Sequence, residues 1–411
     1  MHKGTVVVTN CGARFGYNVA KSLIASGFRV LAAAPRLPTM CAWMKGLAGE
    51  VCIPDAFIDP RGYVAAVNAA AVAHGPLLML PTHEDVFVAA EQRSAFSDQV
   101  SLVAPTLSGL LAVHDKFGLS RLAADEIIQT PETELLTSID DVSNALAKWH
   151  CPVILKPRFG EGSKGIIRID NEVSLVRKRT LVEKLPAQDY LLQKFTSGVG
   201  VGVGCLMKNG RLIASSQHIR LREVPISGGT STARATFDRF ELREVAASIL
   251  RKAGIDGIAM LEYRYDRETD NFKLLDANPR YWGGLANHIE SGVDYPPLYI
   301  AAHMQPKSLP DTLVLPTREI ETRWILGEIR AVMELMISGR FNDIKPVFMK
   351  SAYHETIYEE LSEGDFKPFI VQAKNYAQRV SIQGGKHDIN QIKRQYFSNL
   401  FRKGSFPEVA S

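Results

Sequence analysis

Alternating apolar and amphipathic segments open the chain and predict a parallel α/β domain. Residues 5–9 form an apolar, strand-like run, residues 17–26 have helical periodicity, and residues 28–33 form a second apolar run. This order is typical of a β-α-β unit, whose two strands lie parallel in one sheet. A further strand-like run at 77–80, followed by helical periodicity from Glu84, continues the pattern. We therefore expect an open parallel sheet with helices in the N-terminal quarter of the chain.

The pattern then changes to short strands and hairpins. Strand-like runs occupy residues 153–156, 165–169 and 190–195, and a glycine-rich loop at 158–164 joins the first two. Glycine and valine alternate strictly over residues 198–204. A period of two is typical of a strand that places its valines on one face. The middle of the chain is therefore predicted to be built from β-hairpins.

One predicted hairpin brings two acids together. Residues 258–265 and 272–278 read as two strands, and residues 268–271 supply the turn between them. If the hairpin is centred on the middle of this turn, Glu262 and Asp276 lie directly opposite each other, with Cβ atoms about 5 Å apart. The alternative is a register shifted by one residue, which would turn one of the acids toward water.

Two carboxylates that face each other repel, so such a pair requires a compensating charge. At an effective dielectric constant near 20, two unit charges about 4 Å apart repel by roughly 4 kcal/mol. A divalent cation bound between them reverses the sign, and carboxylate and amide oxygens suit Mg²⁺, which also takes phosphate ligands. Asn278 shares the face of Asp276, and Arg280 follows at once, where an anionic phosphoryl group would need a guanidinium. The hairpin therefore predicts a magnesium and phosphate site.

Residues 159–165, Phe-Gly-Glu-Gly-Ser-Lys-Gly, form a loop suited to phosphate. Its glycines allow backbone N–H groups to turn toward an anion, and Ser163 and Lys164 add donors. The loop is not a P-loop, because it joins two strands and lacks the Gly-Lys-Ser/Thr ending. Lys156 ends the preceding apolar strand, and a buried lysine requires an anionic partner. A plain turn and an internal salt bridge are the alternative interpretations of the loop and of the lysine.

The glycine turn near the N-terminus leaves a second ligand class open. Gly12 and Gly16 give GxxxG, whereas a dinucleotide site has GxGxxG, and no acid ends the second strand to hold a ribose. Arg36 stands there instead and suits a 2′-phosphate. An NADP-binding reductase is therefore an alternative hypothesis, and a tight βα turn without a ligand is another.

Composition bounds the partners and the compartment. A length of 411 residues suggests several domains, and 48 basic against 44 acidic side chains give a net charge of +4. This balance does not argue for nucleic acid or a membrane surface, although it fits a small anionic ligand. The apolar start is too short for a signal peptide, the apolar region at 64–80 is broken by polar residues, and the five cysteines lie in no paired spacing. We expect a reduced, cytoplasmic protein.

These segments together resemble the ATP-grasp superfamily, and closely its predicted ATP-dependent carboxylate–amine ligase branch. The resemblance covers roughly residues 5–370, and its most specific feature is D-x-N-P-R in a hairpin with an acid 14 positions earlier. The matching runs are Asp115-Lys116, residues 154–157, 160–165, 192–195, 220–223, 227–232, 261–263, 274–283 and 323–328.

The resemblance implies a division of the chain. It predicts a Rossmann-like domain at 1–112 that precedes the nucleotide-binding halves and a small lobe with the glycine-rich loop at 113–192. It further predicts a large lobe with the metal site at 193–310 and a C-terminal extension at 311–411. The extension carries no chemical motif, and its basic end at 386–403 is predicted to be a solvated helix face or, alternatively, a surface that recognises an acidic carrier protein.

Site residues are implied in the same way. Lys116 and Lys156 would contact the α- and β-phosphates of ATP. The loop would close over them, residues 193–195 would line the adenine slot, and Arg280 would steady the transferred phosphoryl group. The complete predicted set is Lys116, Lys156, Gly160, Gly162, Ser163, Lys164, Gln193, Lys194 and Phe195 for ATP, Glu262, Asp276 and Asn278 for metal, Arg280 for catalysis, and Arg220, Arg222, Gly228 and Gly229 for the substrate.

Some of these assignments carry alternatives or departures. Arg220 and Arg222 precede a Ser-Gly-Gly-Thr-Ser-Thr loop that we expect to act as a lid, and they are candidates to bind the acceptor carboxylate. Surface arginines on a strand are the alternative interpretation. Asp276 stands where the family more often has Glu, and no clear acid between Thr196 and Val203 is placed to hold the ribose.

The implied activity is phosphorylation of a substrate carboxylate by ATP and Mg²⁺, with Mn²⁺ as a substitute ion. The acyl phosphate would then be captured by an amine with release of ADP and phosphate, or by the thiol of a carrier protein. Both substrates would be small molecules unless a carrier takes part. The alternatives are a carboxylase or carbamoyl-phosphate-type enzyme that activates bicarbonate, a non-catalytic ATP-binding module and the reductase named above. Oligomeric state is not predicted.

Overall fold

The structure, a computed structural model, describes residues 2–160, 164–225, 228–349, 355–361, 366–382 and 389–403. No helix in these ranges is both long enough and apolar enough to cross a membrane.

The N-terminal segment folds as predicted. Its five strands form a parallel sheet of order β3-β2-β1-β4-β5, and central residues such as Val7, Leu31 and Met79 are fully buried. Helices cover both faces, which is why the strands read as continuous apolar runs. The elements are β1 (Thr5–Val8), α1 (Arg14–Ala25), β2 (Arg29–Ala34), β3 (Gly49–Cys52), α2 (Pro60–His74), β4 (Leu77–Leu80), α3 (Asp85–Glu91), β5 (Val100–Leu102) and α4 (Leu107–His114).

A four-stranded antiparallel sheet follows, of order β6-β9-β7-β8. The predicted hairpin around the glycine-rich loop is present as β7 and β8, and Val153, Leu155 and Ile169 fill a core beneath two helices. The elements are α5 (Lys116–Leu122), β6 (Thr133–Leu135), α6 (Asp140–Trp149), β7 (Val153–Pro157), β8 (Ile167–Ile169), α7 (Glu172–Val182) and β9 (Tyr190–Lys194).

The largest sheet has seven strands in the order β14-β13-β10-β11-β12-β15-β16. Val201 and Val203 of β10 pack in one core with Leu242 and Ile249 of α8, so the valines of the glycine–valine alternation share one face, as predicted. The elements are β10 (Val199–Lys208), β11 (Arg211–Val224), β12 (Thr230–Phe237), α8 (Phe240–Lys252), β13 (Gly257–Asp266), β14 (Asn271–Asn278), α9 (Leu285–Glu290), α10 (Tyr295–Met304), β15 (Glu321–Arg323), α11 (Ile325–Ile337), α12 (Lys345–Phe348) and β16 (Thr356–Tyr358).

The C-terminal segment returns to the N-terminal domain. Its last helices are α13 (Lys367–Ile382) and α14 (Ile389–Arg402). Phe397 of α14 is fully buried against the rings of Phe87, His114 and Phe159. Since these rings come from α3, α4 and the start of the glycine-rich loop, α14 ties that loop to the parallel domain. The sequence pattern offered only a solvated helix face or a carrier-protein surface for this basic segment.

Candidate active site

The two predicted metal-binding acids face each other. Glu262 of β13 pairs directly with Asp276 of β14, which is the register predicted from the turn. The side-chain amide of Asn278 donates to Oε1 of Glu262 at 3.1 Å. The pairing shifts by one residue beyond Glu262, so Leu275 forms a β-bulge. The hairpin therefore presents two carboxylates and an amide on one face, and the bulge leaves a carbonyl available beside them.

Cations of the protein partly compensate this acid pair. Arg220 donates to Oε2 of Glu262 at 2.7 Å, and Nζ of Lys116 lies 3.3 Å from Oδ1 of Asp276. Burial raises the pKa of Asp276 above its ordinary value and outweighs the lowering by Lys116. At Glu262 burial is likewise the largest influence and acts to raise the pKa, but the charge and hydrogen bond of Arg220 together with the charges of Arg280 and Arg264 outweigh it, so the pKa is lowered. The Asp276 side thus has the greater need of an additional cation.

Oxygen donors of this kind fit Mg²⁺. In the described part of the chain no three His, Cys, Asp or Glu side chains converge on one point, so a metal site here would consist of two carboxylates, one amide oxygen and ligands from a bound phosphate. Mg²⁺ is characteristically held by one or two carboxylates plus substrate phosphates. The chemistry of this donor set matches that preference.

Two lysines approach the β-bulge of the hairpin: Lys156 from β7 of the four-stranded sheet and Lys116 from α5. Nζ of Lys156 donates to the bulge carbonyl of Leu275 at 3.0 Å, and Nζ of Lys116 donates to the carbonyl of Gly160 at 2.8 Å. Burial lowers the pKa of Lys156 to about 7, against a raising effect from Asp276. A buried lysine that binds a carbonyl holds its charge poorly, and an added phosphate would restore it.

The other predicted nucleotide contacts line the same cavity, which has a volume of about 1040 Å³. Gln193 donates from its side chain to Thr133, Lys194 pairs with Glu132, and the ring of Phe195 lies under the guanidinium of Arg168. Of the glycine-rich loop, Gly160 and Lys164 are described and line the cavity, whereas Gly162 and Ser163 lie outside the described residues.

The predicted substrate residues occupy two different positions. Arg220 lines the cavity between Glu262 and Glu223. Within the described chain Arg222 is not among the lining residues, and its guanidinium forms a two-oxygen pair with Glu328 at 2.5–3.1 Å. A β-bulge between these two arginines separates their directions. Gly228 and Gly229 line the cavity mouth, and the residues before them, Ile226 and Ser227, lie outside the described part.

Arg280 stands at the end of the hairpin and lines the cavity. Its Nη2 donates to Oδ1 of Asn278 at 2.9 Å, and Nη1 donates to the carbonyl of Tyr281 at 2.9 Å. These contacts hold the guanidinium on the metal side of the cavity. Its predicted role beside a phosphoryl group stays a prediction.

Gly200, Gly202 and Gly204 of β10 lie beneath three side chains of the cavity wall, and we call them the glycine floor. Their alternation with valine is visible in the sequence, but the sequence pattern assigned the glycines no role. A Cβ atom at these positions would lie 2.5 Å from Arg220, 2.4 Å from His218 and 2.6 Å from Trp282, respectively. No side chain other than hydrogen fits beneath these three groups. The alternation of glycine with valine was the available signal that large side chains cross this strand.

The far end of the cavity was also missed. Arg14 of α1 stacks on the ring of Trp324 with its guanidinium carbon 4.0 Å from the ring centroid, and it forms an ion pair with the buried Glu359. Arg234 of β12 pairs with the same carboxylate. Gln372 of α13 accepts a hydrogen bond from the indole of Trp324. Residues from four distant segments meet here, and no local pattern in the sequence connects them.

The chain shares the fold of ATP-grasp proteins. The parallel domain, the four-stranded lobe with its glycine-rich loop and the large sheet with its acid-bearing hairpin lie around one cavity. Residues 186–325 match a family model described as ATP-grasp in the biosynthetic pathway with Ter operon.

Solved structures share this fold at low sequence identity. N5-carboxyaminoimidazole synthetase from Staphylococcus aureus, complexed with ADP, is similar over 83% of this chain and 86% of that chain, with a TM-score of 0.62 and 15% identity. The biotin carboxylase domain of Hydrogenobacter thermophilus 2-oxoglutarate carboxylase, complexed with MgADP, ADP and bicarbonate, matches over 76% and 72%, with a TM-score of 0.60 and 14% identity. L-amino acid ligase from Bacillus licheniformis matches over 78% and 79%, with a TM-score of 0.56 and 14% identity.

Proposed function

We propose that this protein is a Mg²⁺- and ATP-dependent ligase that converts a substrate carboxylate into an acyl phosphate and joins it to an amine, releasing ADP and phosphate. The observation that carries the proposal is the direct pairing of Glu262 with Asp276, with Lys116, Lys156 and Arg280 around them. Two partly buried acids that lie close to three cations are suited to a metal-bound polyphosphate. They serve no evident purpose in a hairpin that is purely structural.

The chemistry requires charge neutralisation above all. A free carboxylate is a poor electrophile, and its phosphorylation supplies a leaving group. Phosphoryl transfer depends on in-line positioning and electrostatic stabilisation, with little covalent work by the protein. Bound Mg²⁺ would neutralise the triphosphate through Glu262, Asp276 and Asn278. Lys116 and Lys156 would hold the α- and β-phosphates, and Arg280 would stabilise the phosphoryl group in transit.

The remaining predicted residues find roles in the same scheme. Residues 113–192 and 193–310 would act as the two lobes that enclose ATP, with the adenine between residues 193–195 and the large sheet. Arg220 would contribute to binding the acceptor carboxylate. Arg222 lies outside the cavity and would act on the loop at 227–232 through its ion pair with Glu328. Gly228 and Gly229 would allow the loop to close and exclude water from the acyl phosphate.

Activation of bicarbonate is the second candidate function. It is favoured by the similarity to a carboxylase domain whose structure contains MgADP and bicarbonate. The two candidates differ in the anion that stimulates ATP cleavage, so one assay separates them.

The test is an ADP-release screen of the full chain with ATP and Mg²⁺ against pools of amino acids and small carboxylic acids, with hydroxylamine present. We expect one pool to stimulate ADP release and to yield a hydroxamate, the trapped form of an acyl phosphate. Stimulation by bicarbonate alone would favour the carboxylase. ADP release by no pool, with no hydroxamate, would contradict the ligase assignment.

A further inference from the structure

A chain of buried hydrogen bonds runs from the backbone to the cavity on the side away from the nucleotide. The hydroxyl of Tyr295 donates to the carbonyl of Gly204 at 2.9 Å and lies 3.0 Å from Oγ of Ser216. Ser216 in turn contacts Nδ1 of His288. Nε2 of His288 lies 2.7 Å from Nδ1 of His218, whose ring lines the cavity.

The donor and the acceptor of each hydrogen bond in this series follow from its first member, the carbonyl of Gly204. A carbonyl only accepts, so the single hydroxyl proton of Tyr295 is used there, and Ser216 must donate to Tyr295. Ser216 then has no second proton, so Nδ1 of His288 must carry one and donate to Ser216. A neutral imidazole has one N–H, which leaves Nε2 of His288 as the acceptor for an N–H on Nδ1 of His218.

Both imidazoles are neutral, as this assignment requires. Burial lowers the pKa of His288 to about 3, helped by the charge of Arg234. Burial also lowers the pKa of His218 well below 6.5, with further lowering by His288, Arg234 and Arg220, the groups that face it from α9, β12 and β11. The Nε2 atom of His218 is therefore an unprotonated lone pair. Among the described residues no group donates a hydrogen bond to it.

The position of His218 places this lone pair across from the metal-binding acids. His218 pairs with Gly202, Gly202 pairs with Glu262, and Glu262 pairs with Asp276, so all four residues lie in one row across the sheet. Directly paired residues point to the same face. The row separates His218 from Glu262 by two strand spacings, about 10 Å in all. Since Gly202 has no side chain, the ring of His218 lies directly over it and reaches from β11 toward the acids, with Cε1 2.4 Å from where a Cβ of residue 202 would stand.

We propose that Nε2 of His218 accepts a hydrogen bond from the attacking amine and removes its proton during amide formation. The proposal rests on the ligase function proposed above. In this step the C–N bond forms, the bond from carbon to the phosphate oxygen breaks and phosphate leaves with the electron pair. One amine proton moves to Nε2 of His218 and is later returned to solvent. The attacking nitrogen becomes strongly acidic as it bonds to carbon, so even a weak base suffices.

This arrangement requires a neutral hydrogen donor as the nucleophile. An unprotonated Nε2 attracts a neutral N–H donor and gives no favourable contact to a thiolate or to another anion. His288, Ser216 and Tyr295 are positioning residues, because they act only by holding the proton of His218 on Nδ1.

The first test compares two products of the same acyl phosphate. Full-length wild type and His218→Gln are given ATP, Mg²⁺, the carboxylate pool that stimulates ADP release, and either hydroxylamine in excess or a pool of amino acids as amines. General-base catalysis contributes about 10²–10⁴-fold, so we expect the ratio of amide to hydroxamate to fall at least about 100-fold in the variant. His303→Gln, a matched change at a histidine that lies outside this cavity, should leave the ratio unchanged.

An unchanged ratio in His218→Gln would overturn the role of His218 while leaving the ligase function standing. Absence of hydroxamate in wild type would overturn the ligase function first.

The second test does not depend on activity. Nitrogen NMR of the full chain labelled with ¹⁵N-histidine, with His218→Gln used for assignment, reports which ring nitrogen carries hydrogen. We expect His218 to carry it on Nδ1 from about neutral pH down to mildly acidic pH, and Tyr295→Phe to release this preference. A proton found on Nε2 in wild type would contradict the proposal.

Discussion

Asp276 is a partly buried carboxylate whose negative charge is incompletely compensated, and its neighbours show what the site is built to hold. Its single protein partner at ion-pair distance in the described structure is Lys116, at 3.3 Å, and burial leaves the pKa of Asp276 raised. The opposite acid, Glu262, is satisfied by Arg220 and Asn278. This asymmetry indicates that the Asp276 side depends most on an incoming cation.

We predict that Asp276→Ala and Arg280→Ala each lower turnover by at least about 100-fold while the protein stays folded. Removal of a preorganised electrostatic group commonly costs about 3–4 kcal/mol of activation free energy. The measurement is kcat for ADP release with the stimulating carboxylate, beside circular dichroism for the fold. Asp270→Ala, in the exposed turn of the same hairpin, is the matched control. Turnover like that of wild type in both variants would remove these residues from the mechanism.

At the residue level, sequence reasoning found one side of the site and missed the other. Glu262, Asp276 and Asn278 lie on two strands joined by a short turn, so the period of two and the turn position were enough to place them together. His218 and Arg14 lie far from each other in sequence, and their neighbours Arg234, His288 and Glu359 come from still other segments. No periodicity links residues that only tertiary packing brings together.

Helix α11 shows how an element of the C-terminal segment is held. The residue before it, Trp324, makes no side-chain cap, and Glu360 instead accepts from the backbone N–H groups of Ile325 and Leu326 at 3.1 and 3.5 Å. Burial raises the pKa of Glu360 from 4.5 to about 7, with a further contribution from Glu359 and an opposing one from Arg14. The carboxyl group thus takes up a proton on folding in mildly acidic solution.

This raised pKa predicts a pH-dependent stability. Between about pH 4.5 and pH 7 the folded protein holds a proton that the unfolded chain has lost, so stability falls as pH rises through this window. Glu360→Gln removes this pH dependence. At a pH above both pKa values, the free energy of unfolding of the variant should exceed that of wild type by up to roughly 3 kcal/mol. Thermal midpoints across this range would measure it. Glu355→Gln, at an exposed ion pair, is the control. A difference between Glu360→Gln and wild type that did not change with pH would contradict the assignment.

Elements were predictable where a local pattern dictates them. The parallel strands, the hairpin around the glycine-rich loop and the strand with alternating valines all follow from apolar periodicity and turn residues. The C-terminal strands and helices were not predicted individually, because β15 and β16 have three residues each and take their place from the edge of the large sheet. Strands this short have too few residues to show a period.

At the scale of the whole molecule, the cavity lies where three parts of the chain meet. The buried carboxylate of Glu359 pairs with Arg14 of the parallel domain and with Arg234 of the large sheet. Lys393 of α14 pairs with Glu84 in the parallel domain, and Lys164 beside the glycine-rich loop donates to Asn390 of the same helix. The C-terminal segment therefore connects the side of the cavity near the glycine-rich loop to the side formed by Arg14 and Arg234.

A metal-bridged triphosphate at the paired acids is tested by calorimetric titration of a non-hydrolysable ATP analogue with and without Mg²⁺, in wild type and in the double variant Glu262→Gln, Asp276→Asn. If the paired acids hold the cation that bridges to the triphosphate, Mg²⁺ should tighten binding by at least about tenfold in wild type, equivalent to about 1.4 kcal/mol. The double variant should show no such dependence. Equal binding with and without Mg²⁺ in wild type, or the same metal dependence in both proteins, would contradict a metal site at Glu262 and Asp276.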